Sequence, residues 1–371
     1  MNFRILKRFY TLRQNNKKMY SKNSEKLIPL THFFSSILRF WTLIFLFIIL
    51  ISSWGCKSKN SNNLTIDIPK EEAVEIRIHR YEKVLMSIDA NNLRNELRKY
   101  KDEYAFFLNG NLEDTLNIIK LYNYISDPTL HEIYDDLINK YPEVTNIEKD
   151  LSESFTYYKH YFPNKTIPKV YTYISYLDFN NRIIYLDTVM AIALDMYLGA
   201  DYKLYSSVKI PHYISNRLDS SNIVIDCMKT IAQSNLSFNP DNKTLLDNII
   251  YLGKILYFTD AMLPKVKDEL KISYTKNQLE WCNKNEEEIW AFFIKNNLLY
   301  NVDYYKIRQF FTEAPTTKGF NNSPPRFGEW IGWQIVKAYM NENNKITLAE
   351  LLEENDSQKI LHLSKYKPKK Q

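Results

Sequence analysis

Beyond residue 74 the chain alternates between helical and strand periodicity. Glu75-Ile76-Arg77-Ile78 places apolar and charged residues on opposite faces, as a half-buried strand does. Residues 81–109 space Leu85, Leu93, Leu97 and Phe106 among charged residues, which predicts an amphipathic helix. Residues 114–125 and 130–140 give two more helical stretches, the second preceded by Asp127-Pro128, a capping side chain and a first-turn proline. Residues 151–161 continue the helical pattern and stop before Phe162-Pro163. The clearest strand signal is in residues 170–176 and 183–186, rich in Val, Ile and Tyr and separated by the turn-prone residues 178–182. Their proximity predicts a β-hairpin. Helical patterns resume over 187–198, 220–234, 242–258, 275–296 and 330–341. The predicted fold class is α+β, mainly α-helical with a small hairpin or sheet, in one large domain over residues 75–371.

The N-terminal region follows a different rule. Lys17, Lys18, Lys22, Lys26 and Arg39 lead into an apolar run over 40–51, followed by Ser52-Ser53-Trp54-Gly55-Cys56. A bilayer-spanning helix needs about 20 apolar residues, so this run predicts a cleaved signal. A small residue followed by cysteine is similar to a bacterial lipoprotein signal, which makes Cys56 the lipidated first residue of the mature chain. Residues 1–55 are then signal peptide, with 1–18 an overshoot if translation starts at Met19, and 56–74 carry the lipid and a flexible tether of Lys, Ser and Asn. An uncleaved signal anchor is the competing reading.

This division changes the meaning of the charge. The chain carries a net +6, yet residues 1–56 hold nine basic residues against Glu25 alone, or +8. The mature part is therefore −2, which removes the basic-composition argument for a nucleic-acid partner. Cys227 and Cys282 are the remaining cysteines and lie in no CxxC or Cys-His cluster. Buried single thiols fit them better than a disulfide.

Glycine is scarce in the body, at Gly110, Gly199, Gly253, Gly319, Gly328 and Gly332. Within a helix it costs about 1 kcal/mol, so Gly253 and Gly332 predict close approach of a neighbouring element. The glycines mark three segments: residues 194–214 with Leu198-Gly199-Ala200-Asp201, residues 250–264 with Leu252-Gly253-Lys254, and residues 324–336 with Pro324-Pro325-Arg326-Phe327-Gly328-Glu329-Trp330-Ile331-Gly332-Trp333. With Ser364-Lys365-Tyr366-Lys367-Pro368, and in this order, they resemble the GldB family of gliding-motility lipoproteins of Bacteroidetes, from about residue 75 to 368. More distantly, the order of strands, a helix near Asp226, the Gly253 helix and the late Gly-Trp-Ile-Gly-Trp helix is similar to gluzincin-type zinc peptidases, implying a degenerate zincin-like fold. Such enzymes carry His-Glu-x-x-His on one helix face. Here that helix reads Val224-Ile225-Asp226-Cys227-Met228-Lys229-Thr230, and Leu252 stands before Gly253 where a glutamate ligand is expected. No pair among His79, His131, His160, His212 and His362 has i, i+3 or i+4 spacing, so neither metal nor other cofactor is expected.

The residues retained as a candidate cleft are Asp195, Asp226, Lys254, Arg326, Trp330 and Trp333. Each also has a plainer role: a helix cap for Asp195, a loop anchor for Arg326, solvent or a buried carboxylate such as Asp195 for Lys254, and core packing for the tryptophans. The resemblance implies a lipid-anchored envelope protein required for gliding motility, acting by binding or assembly. Its implied partners are the membrane, through the lipid, and envelope proteins of the gliding or type IX secretion machinery. A zinc peptidase-like enzyme, or a peptide-binding pseudopeptidase, is the alternative. Lys57 after Cys56 lacks the aspartate that retains some lipoproteins at the inner membrane. A periplasm-facing anchor, in the outer rather than the inner membrane, is the resulting expectation.

Overall fold

In the computed structural model, residues 64–239, 241 and 243–369 are described; the expected signal peptide, Cys56 and the beginning of the expected tether lie outside them. The described residues form one compact unit. Contact with the core begins well before residue 75. Leu64, Ile66, Ile68 and Val74 pack against it, so the later part of the expected tether is seated on the body. Apolar residues at alternate positions of an extended segment share one face, which explains the register.

The first strand, β1 (Ile78–Arg80), leads into α1 (Tyr81–Ser87) and α2 (Leu93–Tyr100), then α3 (Thr115–Ile125), α4 (Pro128–Lys140) and α5 (Thr145–Tyr161). The long helix expected over 81–109 is thus two helices, joined by a short 3₁₀ turn that Asp89 caps. Caps set the starts of α3 and α4: Asp127, expected as a cap, accepts from the Thr129 and Leu130 N–H groups, and Asp114, where the first stretch was expected to begin, accepts from Leu116 N–H. On α5, the one-turn spacing of Glu148, Ser152 and Thr156 presents three acceptors to the extended segment entering β1. They take the N–H groups of Ile78, Ile76 and Val74, at 2.9 Å each. This satisfies backbone donors that no strand pairs.

The sheet is completed by β2 (Lys169–Tyr173), β3 (Ile183–Leu186) and β4 (Val189–Ala193), in the order β1-β2-β4-β3. β2 and β3 do not form the expected hairpin. The hairpin is β3–β4, antiparallel with Leu186 opposite Val189, and β4 is inserted parallel to β2 with Val170 opposite Met190. Residues 187–198, expected as a helix, are this strand followed by a 3₁₀ turn at Leu194–Tyr197. β4 is central and covered on both faces, so its sequence is a continuous apolar run without alternation.

Two short helices, α6 (Lys203–Ser207) and α7 (His212–Ser215), precede the central helices α8 (Ile223–Asn235) and α9 (Leu245–Met262). Next come α10 (Asp268–Lys271), α11 (Lys276–Lys284), α12 (Glu286–Lys295), α13 (Tyr304–Ile307), α14 (Phe327–Glu342), α15 (Leu348–Glu353) and α16 (Ser357–Ser364). The pair α9 and α14 forms the most extensive helix contact. Gly253 and Gly332 meet there backbone to backbone: a Cβ on Gly332 would lie 1.7 Å from the Ile249 carbonyl oxygen, and one on Gly253 2.4 Å from Gly332. The close approach expected from the two glycines is present.

Candidate functional site

The chemistry-bearing residues gather where the loop after α7, helix α8 and the N-terminus of α14 converge. Arg326 starts α14 in a left-handed conformation, φ 55°, straight after Pro324-Pro325. Its Nη2 donates to Ile272 O at 3.0 Å, its Nη1 pairs with Glu329 one turn on, and its guanidinium lies over the Tyr274 ring. Glu329 lies in the first turn of α14, where the helix dipole favours an acid. Glu313, on the segment between a 3₁₀ turn at Arg308–Phe310 and α14, bridges two arginines. Its Oε1 is 2.6 Å from Arg217 Nη1 and its Oε2 3.3 Å from Arg326 Nε. Although burial opposes ionisation, Arg326 and Arg217 hold the Glu313 carboxyl below its ordinary range.

Behind this pair, α8 contributes Asp226 and Lys229 at i, i+3. Asp226 accepts from Tyr197 Oη at 2.9 Å and pairs with Arg182 at 3.4 Å. Burial pushes the Lys229 ammonium down to about 8, against the partly compensating field of Glu329 and Asp226. Arg217, Glu313, Arg326 and Tyr274 wall a cavity of about 190 Å³.

Of the six candidate residues, this arrangement brings together Asp226 and Arg326. Asp195 is fully buried beneath the β2–β3 connection and accepts from the Ser175 and Leu177 N–H groups at 2.9 and 2.7 Å. It thereby holds Tyr176 and Leu177, both with φ 63°. Lys254 does not meet it: its ammonium donates to the carbonyl oxygens of Leu352 and Glu354, at the C-terminal end of α15. Trp330 and Trp333 are core, at 1% and 0% exposure, and Trp333 Nε1 donates to Asp260 Oδ2 at 2.7 Å. A second buried charge group forms there, with Lys271 at 2.8 Å and Lys337 at 3.4 Å from Asp260. This tryptophan is therefore a positioning donor inside the molecule, not a stacking surface. Cys227 and Cys282 are both free and buried, and burial raises both thiols far above their ordinary range.

Sequence reasoning missed Arg182, Arg217, Lys229 and Glu313. Glu329 stood in a segment singled out for its glycines, and its spacing from Arg326 was the available signal. Among the described residues no group of three His, Cys, Asp or Glu side chains could hold a metal ion. Nor is any described helix long and apolar enough to cross a membrane.

A protein family described as "Gliding motility protein GldB" matches residues 61–368. The chain belongs to that family. This gives it a role in gliding motility, and the lipoprotein character of the family suggests association with the cell envelope. No curated protein and no solved structure matches the chain.

Proposed function

We propose that the chain serves gliding motility as a lipid-anchored, periplasm-facing envelope component that works by binding, with Cys56 carrying the lipid. Membership of the family supports the motility role. The basic region, apolar run and Gly55-Cys56 support the anchor. Its partners are envelope proteins of the gliding or type IX secretion machinery. The observation that carries the binding role is the state of the cleft acids. Glu313 is held by Arg217 and Arg326, Glu329 by Arg326, and Asp226 by Arg182 and Tyr197. A general base needs a carboxylate poised to take a proton. Acids committed to guanidinium groups are not free for that task, and serve instead to fix cationic donors around a cavity.

Loss of the gene in a gliding host is expected to give non-spreading colonies that the wild-type gene restores. Cys56→Ser is expected to release the protein from the membrane fraction and to leave spreading impaired. Mass spectrometry of the mature N-terminus reads the anchor directly: an unmodified Cys56, or a retained Trp54-Gly55-Cys56 segment, overturns lipidation. Normal spreading without the gene overturns the motility reading.

A further inference from the structure

The cavity beside Arg326 is walled by two arginines that each keep a buried N–H without a hydrogen-bond partner. Arg217 Nε is buried without a hydrogen-bond partner, although Nη1 of the same side chain pairs with Glu313. Arg326 has a side chain 7% exposed, and its Nε faces Glu313 Oε2 at 3.3 Å without hydrogen-bond geometry. A buried donor lacking an acceptor costs about 1–3 kcal/mol, and an arginine has five N–H groups to satisfy. Two arginines in the wall of one cavity, each with an unpartnered Nε–H, call for an acceptor from outside.

The carboxylate already present indicates the kind of acceptor. Glu313 spans the two arginines, one oxygen to each. It stands on a connecting segment outside any helix or strand, and its side chain is 32% exposed. Arg326 is buried and tied to Ile272 and Glu329, and therefore stays in place. The geometry points to a carboxylate-binding site for an acidic peptide, in which the ligand's carboxylate displaces Glu313 from Arg217 and Arg326. The inference rests on the binding role proposed above and names the ligand for it. A cavity of about 190 Å³ accepts a side chain with adjoining backbone, and Tyr213, Tyr274, Pro315 and Pro325 in its walls suit a peptide. Asp219 also lines it, with its carboxylate accepting from Ser221 N–H at 2.8 Å. That extra negative charge favours a singly charged carboxylate over a phosphate dianion.

The test is calorimetric titration of the purified full chain in detergent with acetyl-Tyr-Glu-Tyr-amide. The comparators are acetyl-Tyr-Gln-Tyr-amide, acetyl-Tyr-Gln-Tyr with a free C-terminus, and inorganic phosphate. The glutamate peptide is expected to bind at least tenfold more tightly than the uncharged amide. Glu313→Gln, which keeps the side chain's size and removes the competing carboxylate, is expected to tighten binding about fivefold. Arg217→Gln is expected to weaken it about tenfold or more, with folding checked by circular dichroism. Stronger binding by the free C-terminus than by the glutamate amide also supports the site, and assigns it to a chain terminus. Absence of binding, equal affinity for the Glu and Gln amides, weaker binding by Glu313→Gln, or tighter binding of phosphate than of either carboxylate each overturns it. If a variant fails to fold, the comparison of ligands on the wild-type chain still decides. A lost carboxylate preference sinks this inference alone, whereas normal spreading without the gene sinks the motility reading alone.

Discussion

Asp195 carries a carboxylate into the core with no cation among its hydrogen-bond partners. What it gains is three donors from the β2–β3 connection: two backbone N–H groups and the Ser175 hydroxyl. Burial outweighs them and raises its pKa to about 6, while in the unfolded chain it titrates near its ordinary value of about 3.8. Raised in the fold, the group favours folding fully below about pH 4, and that contribution is lost as pH rises towards 6 and above. A shift of about two units corresponds to about 3 kcal/mol. Chemical denaturation of the wild type and of Asp195→Asn at pH 4 and pH 7 is expected to show it. The wild type should lose up to about 3 kcal/mol more stability than the variant between the two values, and parallel losses would show that Asp195 does not titrate as described. The residue stood out in the sequence as an acid in the segment marked by Gly199, with a helix cap as its plainer role, but what it latches was not legible. Ser175 and Leu177 lie about 20 residues earlier, and nothing in their identity announces two consecutive left-handed residues.

At the scale of elements, capped helices were legible and strand pairing was not. Asp114 and Asp127 marked helix starts because capping is local chemistry, decided within three residues. The partner of β2, by contrast, depends on which strand the rest of the fold delivers beside it. β4 inserts between β2 and β3 because Val189–Ala193 is apolar on both faces and fits only a buried central position. An apolar run of that kind has no period to separate strand from helix. The glycines were more informative, since a helical glycine without a turn nearby implies contact. Gly332→Ala would place a Cβ 1.7 Å from the Ile249 carbonyl oxygen, forcing α9 and α14 apart. Overpacking of this kind costs about 3 kcal/mol or more when the obstacle is backbone. Gly319 has φ 90° and open space around it, so Gly319→Ala meets only backbone strain of about 1 kcal/mol. Thermal melts of the two variants are expected to separate them clearly. Equal losses would mean that α9 and α14 can slide apart at little cost.

For the whole molecule, the charged cleft draws on residues from Arg182 to Glu329, separated by well over a hundred positions. Sequence reasoning reached Asp226 through the resemblance to a metallopeptidase helix and Arg326 through its glycine-rich segment; Arg182, Arg217 and Glu313 stand in loops of ordinary composition. The same cleft bears on the metal question. A two-ligand zinc helix uses positions one turn apart with side chains free to coordinate. On α8 those positions are Asp226 and Thr230. Asp226 is taken by Arg182 and Tyr197, and the Thr230 hydroxyl turns back to donate to the Asp226 carbonyl oxygen at 2.8 Å. Recruiting Asp226 to a cation would strip a half-buried guanidinium of its counter-ion, and breaking a buried pair costs about 3–5 kcal/mol. The full chain purified without chelator is therefore expected to hold far less than one zinc per molecule by elemental analysis, and its melting temperature to be unchanged by EDTA. Stoichiometric zinc whose removal lowers the melting temperature would mean that the ion pairs around α8 give way to a metal, and would restore the peptidase reading.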